Sequence, residues 1–363
     1  MISIVLPTYN GEKYIRESLN SILSQTFTDW ELIIVNDCST DGTEKIIKEY
    51  VAKDKRIKSI HNEKNLKLPT SLNVGFSHAN GEFLTWTSDD NIYLPNALSM
   101  MNDYLQKNSD CAMVVADMEH IDENGELIGG KTSYNDSEIY FSNSVGACFL
   151  YRRKVLNDVG KYDPKQLYVE DYDYWLRIKT FYGLIAHISQ TLYHYRIHSA
   201  SLTATKSEEI YRNYLRLISK YFAIAASTSE KNKRFIFDMY MQNKKNKIFL
   251  DSIERQNWVK ALPALNYEIP SINNCDLILF GAGGFGEKVG KIYSKNLLAY
   301  IDNDEKKLNK MLNNVPVLNL KSAMHKFPGT IIMITVQYKY IYDIMNQLFE
   351  AEVKKFAIYQ NIV

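Results

Sequence analysis

The chain has 363 residues, 45% of them hydrophobic, and a formal net charge of +1. That length suits two domains with real cores, and the near-zero charge excludes a global field for nucleic acid or an anionic membrane. Four scattered cysteines (Cys38, Cys111, Cys148 and Cys275) lack metal-type spacing and read as reduced cytosolic thiols, and neither a signal-peptide pattern nor an apolar run of transmembrane length is present.

In chain order, "ISIVL" (2–6) predicts a first strand, broken by "PTYNGE". Tyr14, Ile15, Leu19, Ile22 and Leu23 then recur at helical spacing. "ELIIVND" (31–37) is a second strand, and "STDGTEKIIKEYV" opens with cap-type polar residues and continues as a helix. "IKSIHNE" is a third strand, "LPTSLNVGFSHA" a helix entered near Pro69, and "GEFLTWTSDD" a fourth strand. Strands alternating with helices predict a parallel sheet covered by helices, which binds ligands beyond the carboxyl ends of its strands. Asp37, Asp89 and Asp90 all stand at such ends. From 204 the pattern becomes helical, in "SEEIYRNYLRLISKYFAIAA" and "KNKRFIFDMYMQNKKNKIFLDSI", with basic residues on the polar faces. A second small α/β unit follows, in "DLILFGAGGFGEKVGKIY", "LLAYIDND" and "TIIMITV". The expected organisation is residues 1–203, a helical connector 204–273, and 274–363, without internal repeats.

The acidic residues pose the chemical question. "FLTWTSDDNIYLP" (83–95) brings two adjacent carboxylates to the end of a buried strand. Like charges so placed repel, and they require a cation, a hydrogen-bonding ligand or solvent. Alone, "SDDN" reads as a solvated turn. "LYVEDYDYWLRI" (167–178) crowds Glu170, Asp171 and Asp173 among aromatic side chains. Alone, it reads equally as a helix start that complements the macrodipole and as a desolvated carboxylate suited to taking a proton. Asp37 alone reads as a helix N-cap, a role open to Ser39 and Asp41 as well.

The order of separated motifs adds to these readings. "LPTYNGEKYI" follows the first strand, "IIVNDCSTDGT" ends the second, "NEKNLKLPTSLNVGFSHANGEFL" precedes the aspartates, and "YHYRIHSASLT" (193–203) closes the series. Together they resemble the inverting glycosyltransferases of family 2, which have the GT-A fold. The resemblance covers roughly residues 1–203 and implies a donor site. Pro7, Thr8 and Tyr9 would wall the nucleotide base, and Asp37 would accept its ring N–H. Asn73 and Asp89 would complete the donor contacts, Asp89 at the ribose. The commonest family form carries an aspartate two positions before the metal-binding one, where this chain has Thr87 or Ser88. A subset with "TDDNIY" assigns the second aspartate, here Asp90, to the metal. His198 would join it at Mn²⁺ or Mg²⁺, which favour hard ligands and neutralise the leaving diphosphate. The resemblance places the catalytic base at Asp171, with Glu170 and Asp173 next in line. "SNSVGACFLYRR" (142–153) would floor the acceptor side, Gly146 and Ala147 leaving room for sugar. Arg196 is expected to pack or pair locally, and His194 has no assigned role.

In the C-terminal unit, G-x-G-x-x-G falls at Gly281, Gly283 and Gly286 between a strand and a helix, and Asp302 ends the next strand at ribose-contact spacing. The unit resembles Rossmann-like nucleotide- or nucleotide-sugar-binding modules attached to bacterial sugar-modifying enzymes. A second nucleotide site and a docking or assembly role are both open. The whole reads as an α/β, GT-A type protein with a Rossmann-like accessory domain. Its implied activity is metal-dependent, inverting transfer from a UDP-sugar to a glycan or lipid-linked acceptor in bacterial-type surface polysaccharide synthesis. The expected place is the cytoplasm, at the inner face of the membrane, with no nucleic-acid partner; peripheral membrane contact and homo-oligomerisation stay open. A sugar nucleotidyltransferase would carry a Gly-rich basic loop where "PTYNGEKY" stands. A non-catalytic nucleotide-sugar-binding scaffold would have no use for Asp37, Asp89, Asp90 and Asp171 together.

Overall fold

The computed structural model describes residues 1–245, 252–266, 268, 270, 272 and 275–359. The chain divides into two compact units, Met1–Ile218 and Ser219–Val363. The division falls beside the end of a helix, Ser207–Ser219. The expected boundary at 273/274 lies outside the described residues.

The first unit opens with β1 (Ile2–Thr8), α1 (Ile15–Leu23), β2 (Trp30–Asn36), α2 (Thr43–Lys53), β3 (Ile57–His61), α3 (Leu68–Ser77) and β4 (Phe83–Trp86). It continues with β5 (Ile92–Tyr93), α4 (Ala97–Lys107), β6 (Met113–Ile121), β7 (Leu127–Thr132), β8 (Phe149–Arg152), α5 (Lys154–Asp158), α6 (Glu170–Tyr182), β9 (Ala186–Arg196), α7 (Leu202–Thr205) and α8 (Ser207–Ser219). The strands run β3-β2-β1-β4-β8-β6-β9-β5, with β7 added beside β6. β1, β2 and β4 are buried along their whole length, as expected of strands covered on both faces. α1 turns Ile15, Leu19 and Ile22 inward at helical spacing. They join Ile4, Leu6, Leu32, Ile34 and Phe83 in one core.

The pairs β3–β2, β2–β1 and β1–β4 are parallel, as the alternation predicts. Beyond β4 the sheet is mixed. β8 runs antiparallel to both β4 and β6, and β6 pairs β9 in parallel with two register shifts near Asp117. These pairings join strands far apart in sequence, so local periodicity carried no trace of them.

The second unit begins with α9 (Phe222–Thr228), α10 (Glu230–Lys245) and α11 (Ser252–Ala261), where Phe222 packs on Trp258. Residues 246–251 of the second expected helical run lie outside the described residues. Then follow β10 (Leu277–Phe280), α12 (Gly284–Ile292), β11 (Leu297–Ile301), β12 (Met311–Leu312), β13 (Val315–Leu318), α13 (Leu320–Lys326), β14 (Ile331–Ile334), α14 (Ile341–Glu350) and β15 (Phe356–Ile358). They form a second sheet, β12-β13-β11-β10-β14-β15, parallel except at β12–β13. Leu277, Leu279, Tyr300 and Met333 build its own core. Among the described residues no cysteine is disulfide-bonded and no helix is long and apolar enough to cross a membrane.

Candidate active site

The loops that leave the strand ends are tightly drawn. Asn10, Cys38, Lys67 and Tyr168 all hold positive φ without being glycine, between 56° and 69°. Such backbone is costly and persists where surrounding bonds determine it. Asp37 supplies those bonds after β2. It accepts from Asn62 Nδ2 and the Leu66 amide through Oδ1 (both 2.8 Å) and from the Lys67 amide through Oδ2 (2.9 Å). Its carboxylate thus pins the 62–67 loop. The N-cap of α2 is Gly42, and Asp41 just before it accepts from the Thr43 amide and hydroxyl. Pro7 and Thr8 are buried at the end of β1, whereas Tyr9 is 50% exposed and presents its ring.

The two adjacent aspartates turn different ways. Asp89 accepts a short hydrogen bond from Thr8 Oγ1. Gly11 leaves this carboxylate its room, because a Cβ there would sit 2.1 Å from Asp89 Oδ2 and force it to move. Burial, and then the charge of Asp90, push the Asp89 carboxyl up to about 7. Asp90 instead lies between Ser88 Oγ (2.6 Å) and His198 Nε2 (3.1 Å). Beneath them is a fixed cation that sequence reading left as local packing. Arg196 is almost wholly buried and donates from Nε to the Asp90 carbonyl, from NH1 to the carbonyls of Asp122 and Glu123, and from NH2 to Glu17 Oε2. Its amide binds Asn91 Oδ1, and its guanidinium lies 4.6 Å from the centre of the Tyr14 ring. The Tyr14 ring in turn lies 5.0 Å from that of His198. Arg196 therefore fixes both the turn that carries Asp90 and the strand end that carries His198.

Asp90 and His198 are the residues here that could hold a cation. Among the described residues no group of three or more His, Cys, Asp or Glu side chains could hold a metal alone. A carboxylate and an imidazole suit Mn²⁺ or Mg²⁺ that takes its other ligands from phosphate and water.

Asp171 lies in the first turn of α6, at the edge of a cavity of about 330 Å³ lined also by Asn143, Tyr168, Tyr172, Tyr211 and Tyr214. Desolvation raises its pKa, opposed by donation from the Tyr172 amide (2.6 Å) and from Asn143 Nδ2 (2.9 Å). Its two acidic neighbours differ. Glu170 is buried, its Oε2 has no hydrogen-bond partner among the described residues, and burial followed by Asp171's charge pushes it up to about 8. Asp173 is paired to Arg177 at 2.9 Å, and Arg177 also ties the carbonyls of Val159 and Lys161.

The other assigned positions have these surroundings. Asn73 spends both ends of its amide on the Tyr162 main chain, which fixes the loop before α6. Tyr162 is part of an aromatic stack that sequence reading did not single out: it stacks on Tyr174 at 4.2 Å and accepts from Trp86 Nε1. Gly146 has φ +70°, and a Cβ there would meet Met118 at 2.9 Å, so its small size admits a core side chain. In the second unit, Gly281 (φ +121°) follows β10, and a Cβ on Gly286 would lie 1.7 Å from the Gly281 carbonyl oxygen. Gly283 precedes α12 with open space around it. Asp302 accepts from the Ala282 amide and Lys307 Nζ on Oδ2 and from the Asp304 amide on Oδ1, which together hold its pKa below the usual range against the opposing cost of burial.

Comparison with known proteins meets this geometry. The family model for glycosyl transferase family 2 matches residues 3–160. An uncharacterized glycosyltransferase of Methanocaldococcus jannaschii is 34% identical over 59% of this chain and 77% of its own length. One from Rickettsia typhi, also uncharacterized, is 30% identical over 68% of this chain and 80% of its own. Among solved structures, Staphylococcus aureus TarS 1–349 in complex with UDP-GlcNAc matches with a TM-score of 0.52 and 21% identity, over 73% of this chain and 80% of that one. The first unit thus has the GT-A fold, and the chain belongs to glycosyltransferase family 2.

Proposed function

We propose that the chain is a metal-dependent, inverting glycosyltransferase that moves a sugar from a UDP-sugar to a glycan or lipid-linked acceptor. The observation that carries this is the separation of two carboxylate environments: Asp90 is paired with His198, while Asp171 stands desolvated beside an open cavity. The UDP-GlcNAc complex of the structural relative TarS supports the choice of donor. The base would rest against Tyr9, with Asp89 near the ribose. Asp90 and His198, together with the donor phosphates, would hold Mn²⁺ or Mg²⁺, which supplies charge neutralisation to the leaving diphosphate. An acceptor hydroxyl oxygen bonds the anomeric carbon from the opposite face, the carbon–oxygen bond to diphosphate breaks, and its electron pair leaves with UDP. The hydroxyl proton passes to Asp171, whose raised pKa makes it a better base than an exposed aspartate. Surface polysaccharide synthesis is the setting that the family resemblance implies.

Incubation with a panel of nucleotide-sugars tests this reading. Slow, Mn²⁺-dependent release of UDP from a UDP-sugar is expected. Formation of a nucleotide-sugar from a nucleoside triphosphate and a sugar phosphate would favour a nucleotidyltransferase instead.

A further inference from the structure

The cavity beside Asp171 is not closed by the segment that the family model matches. One wall is α8, which begins well after residue 160. Tyr214 and Tyr211 stand on this helix, their rings 6.2 Å apart and within 24° of parallel. Tyr214 lies 6.0 Å from Tyr172 of α6, within 15° of parallel. Tyr172 donates to the Ile139 carbonyl and Tyr214 to that of Phe141. Asn213 fastens the helix to the Leu167 carbonyl at 2.9 Å. These bonds hold α8 against the loops on both sides of Asp171. Ring orientation is therefore set before any ligand arrives, which lowers the entropic cost of binding.

We propose that the tyrosines of α8 and Tyr168, backed by the buried Tyr172, form a platform for one uncharged pyranose ring of the acceptor, with an acceptor hydroxyl turned toward Asp171. This rests on the transferase reading above and specifies its acceptor. The axial C–H groups of a pyranose make an apolar face that stacks on an aromatic ring, while its hydroxyls need polar partners at the edge. The cavity offers both kinds of surface, with Thr203 and Ser207 supplying hydroxyl groups at its rim. Among the described residues that line it, Asp171 is the only charged side chain, and it is an acid. A phosphate or carboxylate on the bound sugar would meet the repulsion of Asp171 and no cation among the described lining side chains. A volume of about 330 Å³ is at the small end for ligand sites, which suits one ring rather than a chain.

The test uses the full chain and saturation-transfer NMR with methyl hexopyranosides and their 6-phosphates, beside UDP calorimetry. Tyr211 is 42% exposed, so Tyr211→Ala leaves the core intact, and Tyr211→Phe keeps the ring. Saturation is expected on the ring C–H protons of at least one neutral glycoside, with weaker binding of its phosphate. Tyr211→Ala should weaken that binding roughly three- to tenfold, with Tyr211→Phe near the parent and UDP affinity unchanged in both. Equal glycoside binding by Tyr211→Ala, preference for the phosphates, or absence of glycoside binding while UDP still binds would overturn the platform. Failure to bind UDP would instead overturn the transferase reading.

Discussion

Both units bring an aspartate to the end of the strand beside their first one, and in both it accepts main-chain hydrogen bonds from another loop. Asp37 follows β2 and holds the 62–67 loop; Asp302 follows β11 and holds the glycine turn through Ala282 and Lys307. The units part company beyond this shared parallel motif. In the first, the sheet continues through the antiparallel β8 into β6 and β9, and the end of β9 brings His198 to Asp90. Asp171 comes from α6, just before β9. The second unit stays parallel apart from β12. The antiparallel extension of the larger sheet brings His198 to Asp90, which itself follows the parallel strand β4, and the described strands of the second unit form no such extension.

The largest effect expected from this contrast is at Asp171. Asp171→Asn keeps shape and hydrogen bonding but cannot take a proton, so turnover should fall at least about a hundredfold, on the order of 3 kcal/mol of barrier. UDP affinity should stay near the parent value. Sugar transfer measured beside UDP calorimetry checks both; near-normal transfer would move the base to Glu170 or Asp173.

A smaller effect is expected at Asn143, which donates to Asp171. Its bond favours the ionised carboxylate, so Asn143→Ala should raise the base's pKa further and move the acid limb of the pH–rate profile upward. Turnover near neutral pH should fall roughly tenfold. An unshifted acid limb would show that Asn143 does not act through Asp171.

A separate effect is on stability, and its sign differs between the units. Burial raises Glu170 to about 8, so the folded state binds the extra proton and loses stability as pH rises from the ordinary glutamate range through 8. Asp302 is lowered, so its contribution is complete above the ordinary aspartate range and is lost as pH falls through its depressed value. Glu170→Gln should flatten the alkaline loss in the first unit, and Asp302→Asn the acid loss in the second. Hydrogen exchange followed against pH, unit by unit, reads both; the same slope in parent and variant would refute the assignment.

The sequence carried the parallel half well, because buried strands such as "ISIVL" and "ELIIVND" and amphipathic helices such as α1 declare themselves by local pattern. It also carried the pairing of Asp90 with His198, through the order of motifs rather than through either residue. Hidden from it were the antiparallel insertion of β8 and the partners of Arg196, which reach back to Asp90 and Glu17. Long-range pairing leaves no periodic mark. An arginine bonded to three main-chain carbonyls cannot be told from a surface one by composition. Asn73 shows the same limit: its place in a donor-site motif gave no sign that its amide would bind Tyr162. The platform on α8 went unread because its tyrosines lie in what periodicity presents simply as an amphipathic helix.

We propose that Asp90 and His198 form the cation end of a donor site. Calorimetry of UDP binding to the full chain, with Mn²⁺ and with a chelator, tests it most directly when repeated on Asp90→Ala and His198→Ala. The account predicts that Mn²⁺ tightens UDP binding in the parent, that Asp90→Ala largely abolishes this linkage, and that His198→Ala weakens it. Equal UDP affinity with and without the chelator in the parent chain would contradict it.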